Sequence, residues 1–155
     1  MIMLTRINQS SLYERCPRLV KNLTALGNVK AGSGIDPSLI HLVKLRVSQI
    51  NHCCFCQHMH SAEARKDGEL QERLDVLPAW QEAPCFSQKE RAALAWAEAL
   101  TLISNSVTDA IYQQTVEALG EEGLIELTTV ILAINSWNRV AVSLQFSPDM
   151  QSAQA

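Results

Sequence analysis

Within the ten positions from Asn51 to His60 the chain places three of its five cysteines and three of its four histidines. Cys53 and Cys56 form a C-x-x-C pair, and His60 follows the second cysteine by four positions. On a helix advancing about 100° per residue, these three side chains share one narrow face. Two thiols and an imidazole so placed form a chemical kit: an attacking sulfur, a second sulfur to close a disulfide, and a base to move the proton. A thiol near a helix N-terminus is favoured as thiolate, which describes Cys53. His60, one turn beyond Cys56, can take that thiol's proton or pair with its thiolate. Attack on a peroxide would give a sulfenic acid that the neighbouring thiol resolves as a disulfide. Direct exchange with a partner disulfide is the alternative chemistry.

Metal chemistry competes with this reading, because His41, His52, Cys53, Cys56 and His60 lie close together in the chain. Two thiolates and two imidazoles would close a tetrahedral zinc site. A cysteine pair on a helix face with no second knuckle is not the zinc-finger layout, so neither metal nor cofactor is expected. A metal-binding or redox-sensing module without enzymatic activity stays open as the second reading, and an inactive oligomeric scaffold as the third. His58 points away from the reactive face and is read as solvated, and His52 as a loop residue. Cys54 is expected to be packed rather than reactive, with Cys16 and Cys85 as bystanders.

The elements that must position these groups read as helices throughout. Leu19, Val20, Leu23 and Leu26 share a face between Pro17 and a C-capping Gly27. Asp36-Pro37 is an N-cap with proline at the first helical position, opening a helix to about Ile50. The reactive stretch is expected to start a new helix capped by Asn51 and running to Lys66. A short helix over Glu69 to Leu77 and a loop over 78–86 follow. Ser87 and Glu90 form a capping-box pattern ahead of a helix to Leu102. Thr108 caps a helix to Leu119 before Gly120, and 121–144 is the longest and most apolar element. A helix that apolar is buried by its own domain or by a neighbouring subunit. Trp96 is assigned to the core. Asn135, Trp137, Asn138 and Arg139 are assigned to packing and polar satisfaction, with Arg139 able to border a pocket. No stretch alternates at period two, so the expectation is an all-α fold of six or seven helices in one domain over 1–155. The tail over 148–155 is expected to fray.

Composition narrows the function. Apolar residues make up 47% of the 155, charged residues 19%, and the net charge is -3. That charge gives no basic footprint for nucleic acid. No uncharged apolar run approaches a bilayer span, and the first residues lack the apolar core of a signal peptide. A cytoplasmic protein is expected, with no membrane partner. In that reducing compartment a C-x-x-C is catalytic or metal-binding more often than a structural staple. Paired-carboxylate, Ser-His-Asp and phosphate-loop signals are missing.

The run His41-Leu-Val-Lys-Leu-Arg-Val-Ser-Gln-Ile-Asn-His-Cys53-Cys-Phe-Cys56-Gln-His-Met-His60 resembles the core motif of the alkylhydroperoxidase AhpD-like branch of the carboxymuconolactone decarboxylase family. The runs Glu90 to Thr101 and Ile134 to Arg139 extend the likeness, which covers about residues 35–143. The resemblance implies a peroxidase or thiol–disulfide activity on a hydroperoxide or disulfide substrate, re-reduced by a thiol donor. It assigns peroxide attack to Cys56, resolution to Cys53 and proton relay to His60. It further implies a homo-oligomer, trimer or hexamer. The family's pattern has a glutamate twelve residues before the first cysteine, at the far end of its proton relay; here that position is His41. A histidine can shuttle protons near neutral pH, so His41 joins the candidate site. It cannot supply a fixed negative charge to His60.

Overall fold

A computed structural model describes residues 4–151, and among these the chain forms seven α-helices and no strand. The helices are α1 (Gln9–Arg15), α2 (Pro17–Leu26), α3 (Pro37–Ile50), α4 (Cys54–Lys66), α5 (Gln71–Val76), α6 (Gln88–Thr101) and α7 (Asp109–Leu144). Short 3-10 turns, Leu77–Ala79 and Ile103–Asn105, follow α5 and α6. The all-α expectation is met. The expected fraying of 152–155 lies outside the described residues.

Local chemistry accounts for most boundaries. The Asp36 carboxylate accepts the Leu39 N–H at 2.9 Å with Pro37 at the first helical position, which fixes the start of α3. Ser87 and Glu90 complete the capping box of α6 reciprocally. Gly120 adopts φ 71 and ψ 170, a backbone that L side chains rarely take, and divides α7 where the sequence placed two helices. The loop expected over 78–86 begins later, because Pro78 sits inside the 3-10 turn instead of ending the preceding helix. An Asn8 cap starts α1, a helix absent from the sequence reading.

The core is organised around α3. Leu39, Val43 and Val47, spaced four apart, bury one face against Ala93 of α6 and Leu127 and Ile131 of α7. Leu42 and Leu45 bury the adjoining face against Ala64 of α4, Leu74 of α5 and Leu94 of α6. Trp96 is buried, as expected, and its indole donates to Thr128 Oγ1 at 2.9 Å. By contrast, α1 and α2 contain no buried residue, although α2 is strongly amphipathic. They lie over the C-terminal half of α7 as an outer wall. Among the described residues, no helix is long and apolar enough to cross a membrane.

Candidate functional site

The turn between α3 and α4 carries the sulfur chemistry. Asn51 does not open α4; it ends α3, its N–H returning to Val47 O at 3.0 Å. His52 then takes a left-handed conformation (φ 53), and Cys53 becomes the N-cap of α4. The expected Asn51 cap is therefore two residues early, because the left-handed bend falls on His52, a residue type enriched in that conformation, and delays the helix start to Cys53. Cys53 caps with its own sulfur, which accepts the Cys56 N–H at 3.2 Å. Cys53 and Cys56 are joined as a disulfide, with Cα atoms 5.3 Å apart. The spacing brings the two sulfurs together, though Cys53 does so from the cap and not from within the helix.

A polar strut holds this turn against α7. The Ser48 carbonyl accepts the Cys53 N–H at 3.0 Å and the Gln57 amide at 3.3 Å. The Ser48 hydroxyl donates to Lys44 O at 2.7 Å and accepts from Asn138 Nδ2 at 3.1 Å. Asn51 Nδ2 donates to both Asn135 Oδ1 and Asn138 Oδ1, at 3.0 and 2.9 Å. Ser48 and Asn138 are fully buried, so each bond satisfies a group that would otherwise be stranded from water. The packing role assigned to Asn135 and Asn138 is met. Arg139 turns back onto the Asn135 carbonyl and does not border the cavity beside the disulfide.

That cavity, of about 270 Å³, opens beside the disulfide and is lined on one side by Cys56, His60 and Glu63 of α4. Trp137 and Ile134 of α7, Tyr13 of α1 and Leu23 of α2 form the opposite walls. Cys56 lines it, whereas Cys53 is packed behind, both sulfurs being almost fully buried. Phe55 and Phe146 pack edge to face at 5.8 Å across this small cluster.

His60 is buried, and its Nδ1 lies 2.8 Å from Glu63 Oε2, one turn further along α4. The hydrogen bond from His60 holds the Glu63 carboxyl below the ordinary carboxylate range; partial burial opposes this, while the charges of His60, Lys44 and His41 add to it. An ionised carboxylate only accepts, so Nδ1 carries the hydrogen and Nε2 is the nitrogen left to handle another proton. Glu63 thus supplies the negative charge that position 41 lacks. The sequence reading missed it, although an acid three residues after His60 on the same helix face was the available signal.

His41 stands elsewhere. Its Nε2 is 2.7 Å from Asp67 Oδ2, it does not line the cavity, and its buried Nδ1 has no partner among the described residues. His52 and His58 are exposed, as expected. Cys54, expected to be packed, is instead exposed and unpaired, because the first turn of α4 faces solvent on that side. Among the described residues, no three or more of His, Cys, Asp and Glu gather as a metal-holding group.

The fold and this turn define a class: a small helical protein with a disulfide at a helix N-terminus, opening on a cavity beside a histidine–carboxylate pair. The sequence profile of the carboxymuconolactone decarboxylase family matches residues 17–99. The chain belongs to that family. An uncharacterized Bacillus subtilis protein, YdfG, is 39% identical over 135 residues, covering 86% of this chain and 92% of its own length. An Agrobacterium tumefaciens protein of unknown function, ascribed to antioxidant defence as an AhpD, superposes with a TM-score of 0.85 at 34% identity. That match covers 96% of this chain and all of the other (100%). The debrominase Bmp8 shares the fold at a TM-score of 0.72 and 19% identity, over 90% of this chain and 72% of its own.

Proposed function

We propose that this protein is a dithiol peroxidase that reduces an organic hydroperoxide at Cys56. The observation that carries the reading is the asymmetry of the two sulfurs: Cys56 lines the cavity beside His60, and Cys53 lies behind it. In the reduced protein, His60 Nε2 takes the Cys56 proton while Glu63 steadies the imidazolium. The thiolate attacks one peroxide oxygen, the O–O bond breaks, and the leaving alkoxide takes the proton from His60. Cys56 is now a sulfenic acid, and the Cys53 thiol displaces its hydroxyl as water to form the disulfide. In sum, one dithiol and one hydroperoxide give one disulfide, one alcohol and one water. An external dithiol then restores the pair by exchange. His41 acts on Glu63 through charge and not through contact.

Burial of both sulfurs beneath Phe55 and Phe146 favours small substrates over a protein disulfide, which has to reach sulfur in line. The reading places the protein in the cytoplasm, where dithiol donors are maintained. It also expects a homo-oligomer, with the exposed Ile125, Leu132 and Val142 of α7 facing a second copy. Sedimentation equilibrium tests that expectation, and a monomer at micromolar concentration would refute it. For the chemistry, the reduced protein should consume cumene hydroperoxide with one disulfide formed per peroxide. Cys56→Ser should abolish this, and persistence of turnover in that variant would end the assignment.

A further inference from the structure

The cavity beside Cys56 has a composition that says what it accepts. Phe55, Trp137 and Phe146 line it together with Tyr13, whose ring packs edge to face on Trp137 at 6.0 Å. Four aromatic side chains around about 270 Å³ suit one ring with a short substituent. Lys44 reaches the cavity half-buried, and among the described residues no carboxylate comes within ion-pair distance of its ammonium. Glu63, the carboxylate on this lining whose pKa the Lys44 charge helps to lower, is engaged by His60 Nδ1. Gln9 donates to the Tyr13 oxygen at 2.9 Å, which turns the phenolic hydrogen elsewhere. An ammonium without an acceptor, on the wall of an apolar cavity, is stabilised by an anion carried in on an apolar body.

We propose that this cavity selects the hydroperoxide of a compact aromatic acid, its ring held among Phe55, Trp137 and Phe146 and its carboxylate held by Lys44, with the Tyr13 hydroxyl as a second donor. The inference rests on the hydroperoxide reading, since it names the class of molecule whose O–O bond is delivered to Cys56. Neutral aliphatic peroxides, by the same logic, leave both the aromatic walls and the ammonium unused.

Binding to the oxidised protein tests the inference without turnover. Phenylacetate and its neutral isostere phenylacetamide are titrated calorimetrically, with Trp137 fluorescence as a second readout because its indole lines the cavity. Phenylacetate is expected to bind at least about tenfold tighter than the amide, equal to about 1.4 kcal/mol. That gap should collapse in Lys44→Gln and return in Lys44→Arg. Equal affinities in the wild type, a gap that survives Lys44→Gln, or no binding of phenylacetate at millimolar concentration would each overturn the proposal. If binding fails while Cys56-dependent peroxide loss persists, only the substrate class falls. If binding holds and peroxide loss does not occur, the pocket chemistry stands and the reaction assigned to it falls.

Discussion

Replacing Glu63 by glutamine keeps the side chain's shape and removes its charge, which isolates what the carboxylate does for His60. The contact is 2.8 Å and charge-assisted. Hydrogen bonds to charged groups contribute about 1.5–3 kcal/mol when protected from water. The Glu63 side chain is 46% exposed, so solvent screening takes roughly half of that, leaving about 0.8–1.5 kcal/mol. At about 1.4 kcal/mol per tenfold, Glu63→Gln should lower kcat/KM for cumene hydroperoxide by about four- to twelvefold. Removing the proton acceptor itself is a larger loss: His60→Gln should cost on the order of a hundredfold or more. His41→Gln should cost less than Glu63→Gln, since His41 is bonded to Asp67 outside the cavity. The assay is the initial rate of peroxide loss with dithiothreitol as donor, with circular dichroism confirming the fold of each variant. A Glu63→Gln rate within twofold of wild type, or a larger loss from His41→Gln, would refute the assignment of the carboxylate partner.

Other measurements probe other parts of the arrangement. Cys53→Ser should stall after one turnover with a sulfenic acid on Cys56, visible as an added oxygen or a dimedone adduct by mass spectrometry. Asn138→Ala takes one partner each from Ser48 and Asn51, leaves a void at a fully buried position and should cost about 2–3 kcal/mol. For a chain of this length that lowers Tm by roughly 4–12 °C in a thermal melt. Because the Glu63 carboxyl is depressed below its ordinary value of 4.5, its stabilisation is complete above that value and is lost as pH falls through the lower folded-state value. The stability gap between wild type and Glu63→Gln, read by urea unfolding, should therefore hold at neutral pH and shrink only in the acid range below 4.5. Iodoacetamide on the oxidised protein should label Cys54 and Cys85 readily and Cys16 more slowly, leaving Cys53 and Cys56 untouched.

Much of the arrangement was legible in the residues. Asp36-Pro37, the Ser87–Glu90 box and the four-residue spacing of α3's apolar positions each have one local solution, and the structure adopts it. The three-residue step between Cys53 and Cys56 likewise left little choice once a helix followed. What escaped depended on tertiary context or on a single backbone angle. The left-handed His52 moves the start of α4 from Asn51 to Cys53; histidine is enriched in that conformation, but residue type alone does not say which histidine adopts it. Glu63 lies one turn from His60, but the resembled family carries its acid at position 41, and only the folded helix shows the Glu63 carboxylate on the imidazole. Lys44 and Tyr13 lie on separate helices, and only packing brings them to the wall that Cys56 shares. Cys54, which points away from the Cys53–Cys56 face, was expected to pack, yet the first turn of α4 presents it to water.

The two N-terminal helices bury no side chain, yet they supply Tyr13 and Leu23 to the wall facing the disulfide. A segment fastened so lightly opens at a small fraction of the cost of unfolding the domain. Amide hydrogens of α1 and α2 should therefore exchange with deuterium long before those of α3, so that the sulfurs can meet bulk solvent while the rest of the fold stays shut.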